Sequence, residues 1–289
     1  MTTRIEWADE TWNPMTGCTP VSEACEHCYA ERMARRFKPC ATCEENWRDE
    51  CDVCDPEYYF APIFHPDRLD KPLHWKKPRR IFVNSMSDLF HEAFTDEQIR
   101  DVIDVAIRAP QHTHIVLTKR PERMASVMAW YCDQTRDAPL PNLWLGVTAE
   151  TQQRADERIP ILIDTPAAVR FVSLEPLLGP VDLRSVVFYD GDHLGHTLRN
   201  LGYDTGLDWV IIGGETGPGA RPMQPEWALD VYRQCKAAWV PFFWKQAGKW
   251  LSSGEHFSAW ASEHAFDASD PIGEWSRMVA TREFPAVAS

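Results

Sequence analysis

Arg80-Ile-Phe-Val-Asn84-Ser85-Met-Ser87-Asp88 is a short apolar run that ends abruptly in polar residues. A strand with one wet face would alternate apolar and polar side chains. This run does not, so it predicts a strand covered on both faces, as in a parallel sheet. The pattern repeats outward from it. His114-Ile-Val-Leu-Thr118-Lys119-Arg120, Leu143-Trp-Leu-Gly-Val-Thr148-Ala-Glu150 and Val169-Arg-Phe-Val-Ser173-Leu-Glu175-Pro176 have the same form. So do Trp209-Val-Ile-Ile-Gly213-Gly214-Glu215 and Pro241-Phe-Phe-Trp244-Lys245-Gln246, and Thr11–Thr16 reads as a first strand upstream. Helix-like segments separate the runs. Thr95 and Gln98 form a capping box ahead of Ile99, Val102, Ile103 and Ala106, and further helices are expected over 121–130, 152–163 and 226–240. Repeating βα units predict a partial or complete parallel (β/α) barrel, with a doubly wound open sheet as the alternative. In a barrel the reactive groups gather at the C-terminal strand ends. Thr118, Lys119, Glu150, Ser173, Glu175, Glu215 and Lys245 all fall there.

Residues 1–250 are expected to form the barrel, and 251–289 a C-terminal extension packed on it. Two stretches break the rhythm: 38–70 reads as an insertion with a four-cysteine module, and 181–207 as a long loop. The 289 residues are 44% hydrophobic and 25% charged, an ordinary globular composition. No apolar leader or membrane-length run stands out, so a cytoplasmic, non-membrane protein is expected. The net charge of −13, from 43 acidic and 30 basic residues, argues against indiscriminate nucleic-acid binding. It leaves a nucleotide or DNA open as a specific substrate.

The nine cysteines fall into sets. Cys18, Cys25 and Cys28 share one loop, Gly17-Cys18-Thr-Pro-Val-Ser-Glu-Ala-Cys25-Glu-His27-Cys28-Tyr29. Three soft thiolates can hold three irons of a [4Fe–4S] cluster and leave the fourth open for chemistry. A zinc site completed by His27 or a distant residue is the other reading. Cys40, Cys43, Cys51 and Cys54 form two Cys-x-x-Cys pairs, the spacing of a closed structural zinc site or an auxiliary cluster. Cys132 and Cys235 read as buried apolar cysteines. Trp7, Trp12, Trp244 and Trp250 lie near strand ends, where they are core residues or could stack on a base. Gly213 and Gly214, with Gly217 and Gly219, either cradle a phosphate or permit a close backbone approach.

These motifs carry a resemblance. The cysteine loop is similar to the cluster loop of radical S-adenosylmethionine (SAM) enzymes, although six residues separate Cys18 from Cys25, wider than the usual spacing. More closely, the chain resembles a bacteriophage-associated family of three-cysteine proteins of largely uncharacterised function. The resemblance rests on Ile5–Pro14, the cysteine loop through Glu31, Val83–His91, Leu117–Pro121, Ser173–Pro180 and Gly213–Pro222. It implies a radical-SAM type barrel whose [4Fe–4S] cluster is held by Cys18, Cys25 and Cys28. A reduced cluster would cleave SAM to a 5′-deoxyadenosyl radical, acting as an isomerase, lyase or transferase on a nucleobase or nucleotide, with hypermodified phage DNA in view. The SAM site it implies comprises His27, Tyr29, Asn84, Ser85, Ser87, Asp88, Lys119, Glu150, Ser173 and Glu175. Arg120, Gly213, Gly214, Glu215 and Lys245 would meet the substrate, and a flavodoxin or ferredoxin would be the reductant. The contrasting expectation is a non-catalytic, metal-stapled nucleic-acid-binding protein of phage or host defence.

Overall fold

The computed structural model describes residues 5–37, 59–135, 139–190, 193–198, 206–252, 255–263 and 270–286. Cys40, Cys43, Cys51 and Cys54 lie outside them. The chain divides into two compact units, Met1–Trp130 and Tyr131–Ser289.

In the first unit, β1 (Glu10–Trp12) is followed by β2 (Met15–Thr16), helix α1 (Tyr29–Phe37), β3 (Ile63–Phe64) and β4 (Arg80–Val83). Helix α2 (Asp96–Arg108), β5 (Thr113–Thr118) and helix α3 (Pro121–Thr135) come next. The parallel strands run in the order β1-β4-β5, with Trp12 opposite Val83 and Val83 opposite Val116. The expected first strand is split. Pro14 has no N–H to continue a ladder, so β1 stops at Trp12, and Met15–Thr16 pairs antiparallel with β3 instead. Helix α2 starts with the capping box expected of Thr95 and Gln98 and buries Ile99, Val102, Ile103 and Ala106. Arg79, just before β4, and Arg80, its first residue, pair with Glu10 and Asp9 respectively.

In the second unit, β6 (Leu143–Thr148), helix α4 (Gln152–Asp164) and β7 (Val169–Leu174) lead to β8 (Val187–Asp190) and β9 (His193–His196). Then come β10 (Trp209–Gly213), helix α5 (Pro225–Ala237) and β11 (Phe242–Gln246), and last the helices α6 (Gly248–Ser252), α7 (Glu255–Glu263) and α8 (Pro271–Val279). The parallel order is β6-β7-β10-β11. Every residue of β6 and β10 is buried, as unbroken apolar runs require. Trp209 centres the core, its ring 5.6 Å from Phe171 and 5.9 Å from Phe243. The parallel α/β architecture expected from the βα rhythm is therefore present in both units.

The expected long loop over 181–207 holds an antiparallel hairpin, β8 with β9. The available signal was the apolar run Val186–Tyr189 followed shortly by Gly191-Asp192, a two-residue hairpin-loop sequence. Trp275 of α8 lies 5.3 Å from Trp244, and the Trp244 amide donates to the Thr281 carbonyl at 3.0 Å. These contacts cover β11, the last strand of the order. Among the described residues no helix is long and apolar enough to cross a membrane.

Candidate metal centre

The cysteine loop leaves β1 and is held by the turn that follows β4. Asn84 takes a left-handed conformation (φ 57°), and its amide donates to the Trp12 carbonyl at 2.8 Å. Its side-chain Oδ1 accepts from the Met15 amide at 3.2 Å. Asn13 Oδ1 accepts in turn from Ser85 Oγ (3.2 Å) and the Met86 amide (3.1 Å). Ser87 Oγ donates to the Gly17 carbonyl at 2.6 Å, and the Gly17 amide donates to the Met86 carbonyl at 2.9 Å. Gly17 is required here: its φ is +85°, and a Cβ would lie 2.0 Å from the Ala61 carbonyl oxygen. Asn84, Ser85 and Ser87, expected to contact SAM, thus form a bracket that fixes the segment ending at Cys18.

Cys25 closes a short helical turn, its amide donating to the Ser22 carbonyl at 2.9 Å. Cys28 stands at the start of α1, where its carbonyl accepts from the Arg32 amide at 3.1 Å and the backbone amides of Glu31 and Ala30 favour its thiolate over its thiol. A helix N-terminus favours negative charge at such a position. His27 is half-buried in the loop, and Tyr29 is 56% exposed.

Burial pushes the Cys18 thiol up to about 11, with Asp88 acting in the same direction and Arg120 against it. Burial also raises Cys28, opposed by the two amides and by the Lys119 ammonium. Cys28 raises Cys18, and Cys25 raises Cys28, so the three sulfur positions act on one another through space. All three are free cysteines. Among the described residues no three Cys, His, Asp or Glu side chains form a ready-made ligand set. The fit to a metal is therefore one of donor chemistry: three soft thiols in one loop, with the Arg120 guanidinium at Cys18 and the Lys119 ammonium near Cys28. Raised thiols hold their protons at neutral pH, and metal binding would displace them.

Asp88 is 6% exposed and its carboxylate is already fully engaged. Oδ1 accepts from the Phe90 amide (3.0 Å) and Thr118 Oγ1 (2.7 Å), and Oδ2 from the Lys119 amide (3.0 Å) and Arg120 Nη1 (3.3 Å). With four donors in place it anchors the end of β5 rather than offering an open acceptor, which changes the role expected for it. Arg120, expected at the substrate, turns to the cysteine loop. Its Nη1 also donates to Cys18 Sγ at 3.5 Å, its Nη2 to the Thr19 carbonyl (3.2 Å) and Oγ1 (3.1 Å), and its Nε to Glu92 Oε2 at 2.8 Å. Glu92 is held well below the usual carboxylate range, at about 2, by its own backbone hydrogen bond and by Arg120, against a desolvation that would raise it. Sequence reasoning missed Thr19 and Glu92. The signal available for Glu92 was the run Asp88-Leu-Phe-His91-Glu92, which puts three ionisable groups within five residues. Lys119 is half-buried, and its ammonium is not hydrogen-bonded or ion-paired among the described residues.

In the second unit the expected strand-end carboxylates are all paired, but only Glu175 with another expected residue, Lys245. Glu150, 0% exposed, accepts from Arg158 Nη1 at 3.0 Å, and the same nitrogen donates to the Thr148 carbonyl at 2.7 Å. Glu175 accepts from Lys245 Nζ (2.9 Å) and Gln246 Nε2 (2.9 Å). Glu215 receives Arg221 through its amide (2.7 Å), Nε (3.1 Å) and Nη2 (2.7 Å). Ser173 is buried between these strand ends. Arg158, Arg221 and Gln246 were missed: Arg158 lies eight residues beyond Glu150 in the next helix and Arg221 six beyond Glu215 in a loop, while Gln246 reaches Glu175 across 71 residues. Gly214 allows a close backbone approach, since a Cβ there would lie 2.5 Å from the Ala247 carbonyl oxygen, whereas a Cβ at Gly213 would meet the side chains of Gln246 and Glu175 at 3.3 Å. Trp7, Trp12 and Trp244 are core residues, too buried to stack on a base, and the side chain of Trp250 lies outside the described residues. Cys235 is buried as expected, whereas Cys132 is half-buried.

A family described as "Protein of unknown function (DUF5131)" matches residues 2–278. No curated protein and no solved structure matches the chain.

Proposed function

We propose that this chain, which belongs to that family of proteins of unknown function, is an iron–sulfur enzyme of radical-SAM type acting on a nucleobase or nucleotide. The observation that carries the reading is the cysteine loop itself. It places three thiols after the first parallel strand, with backbone amides at one sulfur and a guanidinium at another. Cys18, Cys25 and Cys28 would hold a [4Fe–4S] cluster. When bound, such a cluster supplies an electron for reductive cleavage of SAM at an iron that no protein side chain ligates.

The chain's own residues do the rest. The Asn84–Ser87 bracket and Gly17 fix where Cys18 stands. Asp88 holds the Lys119 amide and the Arg120 guanidinium. Lys119 carries an ammonium near Cys28, suited to the carboxylate of an amino-acid group such as that of SAM. The Glu175–Lys245 pair gives the second unit a partly exposed polar strand end, where hydroxyls of a nucleoside would meet hydrogen-bonding partners. In this reading the strands form a partial β/α barrel, the protein works in the cytoplasm, and a flavodoxin or ferredoxin reduces it. The nucleotide or phage-DNA substrate class rests on the resemblance carried by the sequence motifs. Anaerobic reconstitution with iron and sulfide, followed by absorbance and electron paramagnetic resonance with and without SAM, tests the proposal. Iron uptake and a signal altered by SAM are expected. Failure to take up iron, or a cluster indifferent to SAM, would overturn it.

A further inference from the structure

The Arg120 guanidinium is clamped from two sides before it reaches sulfur. Asp88 takes Nη1 at 3.3 Å and Glu92 takes Nε at 2.8 Å, while Nη1 and Nη2 span Cys18 Sγ and Thr19. Asp88 is itself immobilised by Thr118 Oγ1 and the amides of Phe90 and Lys119. A plain surface ion pair would not need this anchoring. The arrangement aims a permanently charged donor at one thiol from a largely buried position.

We infer that Arg120 is a positioning residue that tunes the metal centre, stabilising the more negative, reduced form of an iron–sulfur cluster held by Cys18, Cys25 and Cys28. This rests on the reading above and names a regulator of the same site. One-electron reduction adds a negative charge to the thiolate-bound cluster and breaks no bond in the protein. A cation hydrogen-bonded to a ligand sulfur favours that product, and partial burial strengthens the effect. Glu92, more exposed, pairs with the guanidinium at Nε and offsets part of its charge.

The opposite signs of these two groups provide the test. Full-length wild type, Arg120→Gln and Glu92→Gln would be reconstituted anaerobically and titrated with dithionite, the electron donor, while absorbance and paramagnetic resonance follow the cluster. Arg120→Gln should disfavour reduction about tenfold, about 59 mV more negative for one electron. Glu92→Gln should shift the potential the other way and by less, with iron per chain unchanged. An unchanged potential in iron-replete Arg120→Gln would overturn the inference and leave the cluster reading intact. If Arg120→Gln fails to fold or to load, Glu92→Gln decides, and an unchanged or more negative potential overturns the inference. Wild type that takes up no iron removes the cluster reading and this inference with it.

Discussion

Asp88 and His114 show how differently two buried polar side chains can stand in one unit. Asp88 meets four donors and pairs with a charged arginine. Asp88→Asn keeps the size but puts an amide N–H against one of those donors and leaves Arg120 short of a counter-charge in a largely buried place. Breaking a buried pair in this way costs about 3–5 kcal/mol, so the urea midpoint should fall sharply; a change within experimental error would mean the network is not structural. His114, on β5, is 0% exposed with neither ring nitrogen hydrogen-bonded, its ring 6.0 Å from Trp12 and 6.2 Å from His112. Burial, helped by His112, depresses it from 6.5 to about 3. The folded protein therefore keeps His114 neutral where the unfolded chain protonates. Stability is fully present above pH 6.5 and declines as the pH falls towards 3, by about 1.4 kcal/mol per pH unit from this group. Urea unfolding of wild type and His114→Phe across that range should show a shallower acid slope in the variant, and equal slopes would assign the acid sensitivity elsewhere.

At the scale of elements, the turn after β4 does two jobs: it ends a strand and holds a loop from another strand. Its reach depends on Gly17, whose left-handed backbone passes against the Ala61 carbonyl. Gly17→Ala should therefore destabilise by more than the ~1–2 kcal/mol of a left-handed residue, because the Ala61 backbone must also move. It should lower iron uptake in step, since Cys18 follows directly. Full iron loading in a well-folded Gly17→Ala protein would show that the bracket does not control the centre. The boundaries of helix α2 were legible in the sequence, since the capping box and the apolar spacing lie within a few residues of each other. The split between β1 and β2 hung on Pro14, and the β8–β9 hairpin on Gly191-Asp192, both local signals outweighed by the longer apolar patterns around them.

For the whole molecule the expectation is two separable metal chemistries on one parallel α/β chain. Cys28→Ser should lose iron on reconstitution, whereas Cys43→Ser should lose zinc and stability with iron per chain unchanged; metal analysis showing iron lost with zinc would favour an auxiliary cluster in the four-cysteine module. The parallel α/β class followed from the sequence alone, because burial on both faces writes itself into uninterrupted apolar runs and helices write theirs into 3.6-residue spacing. The cysteine loop was legible for a similar reason: its donors sit within eleven residues, Cys18 to Cys28. What the polar strand ends do was decided only by the tertiary structure. Arg120 reaches Cys18 across 102 residues and Lys245 reaches Glu175 across 70. Charge and spacing along the chain cannot choose among many possible partners at such separations. Packing brings one partner within reach and desolvates it, and a buried charge then has to be paired there.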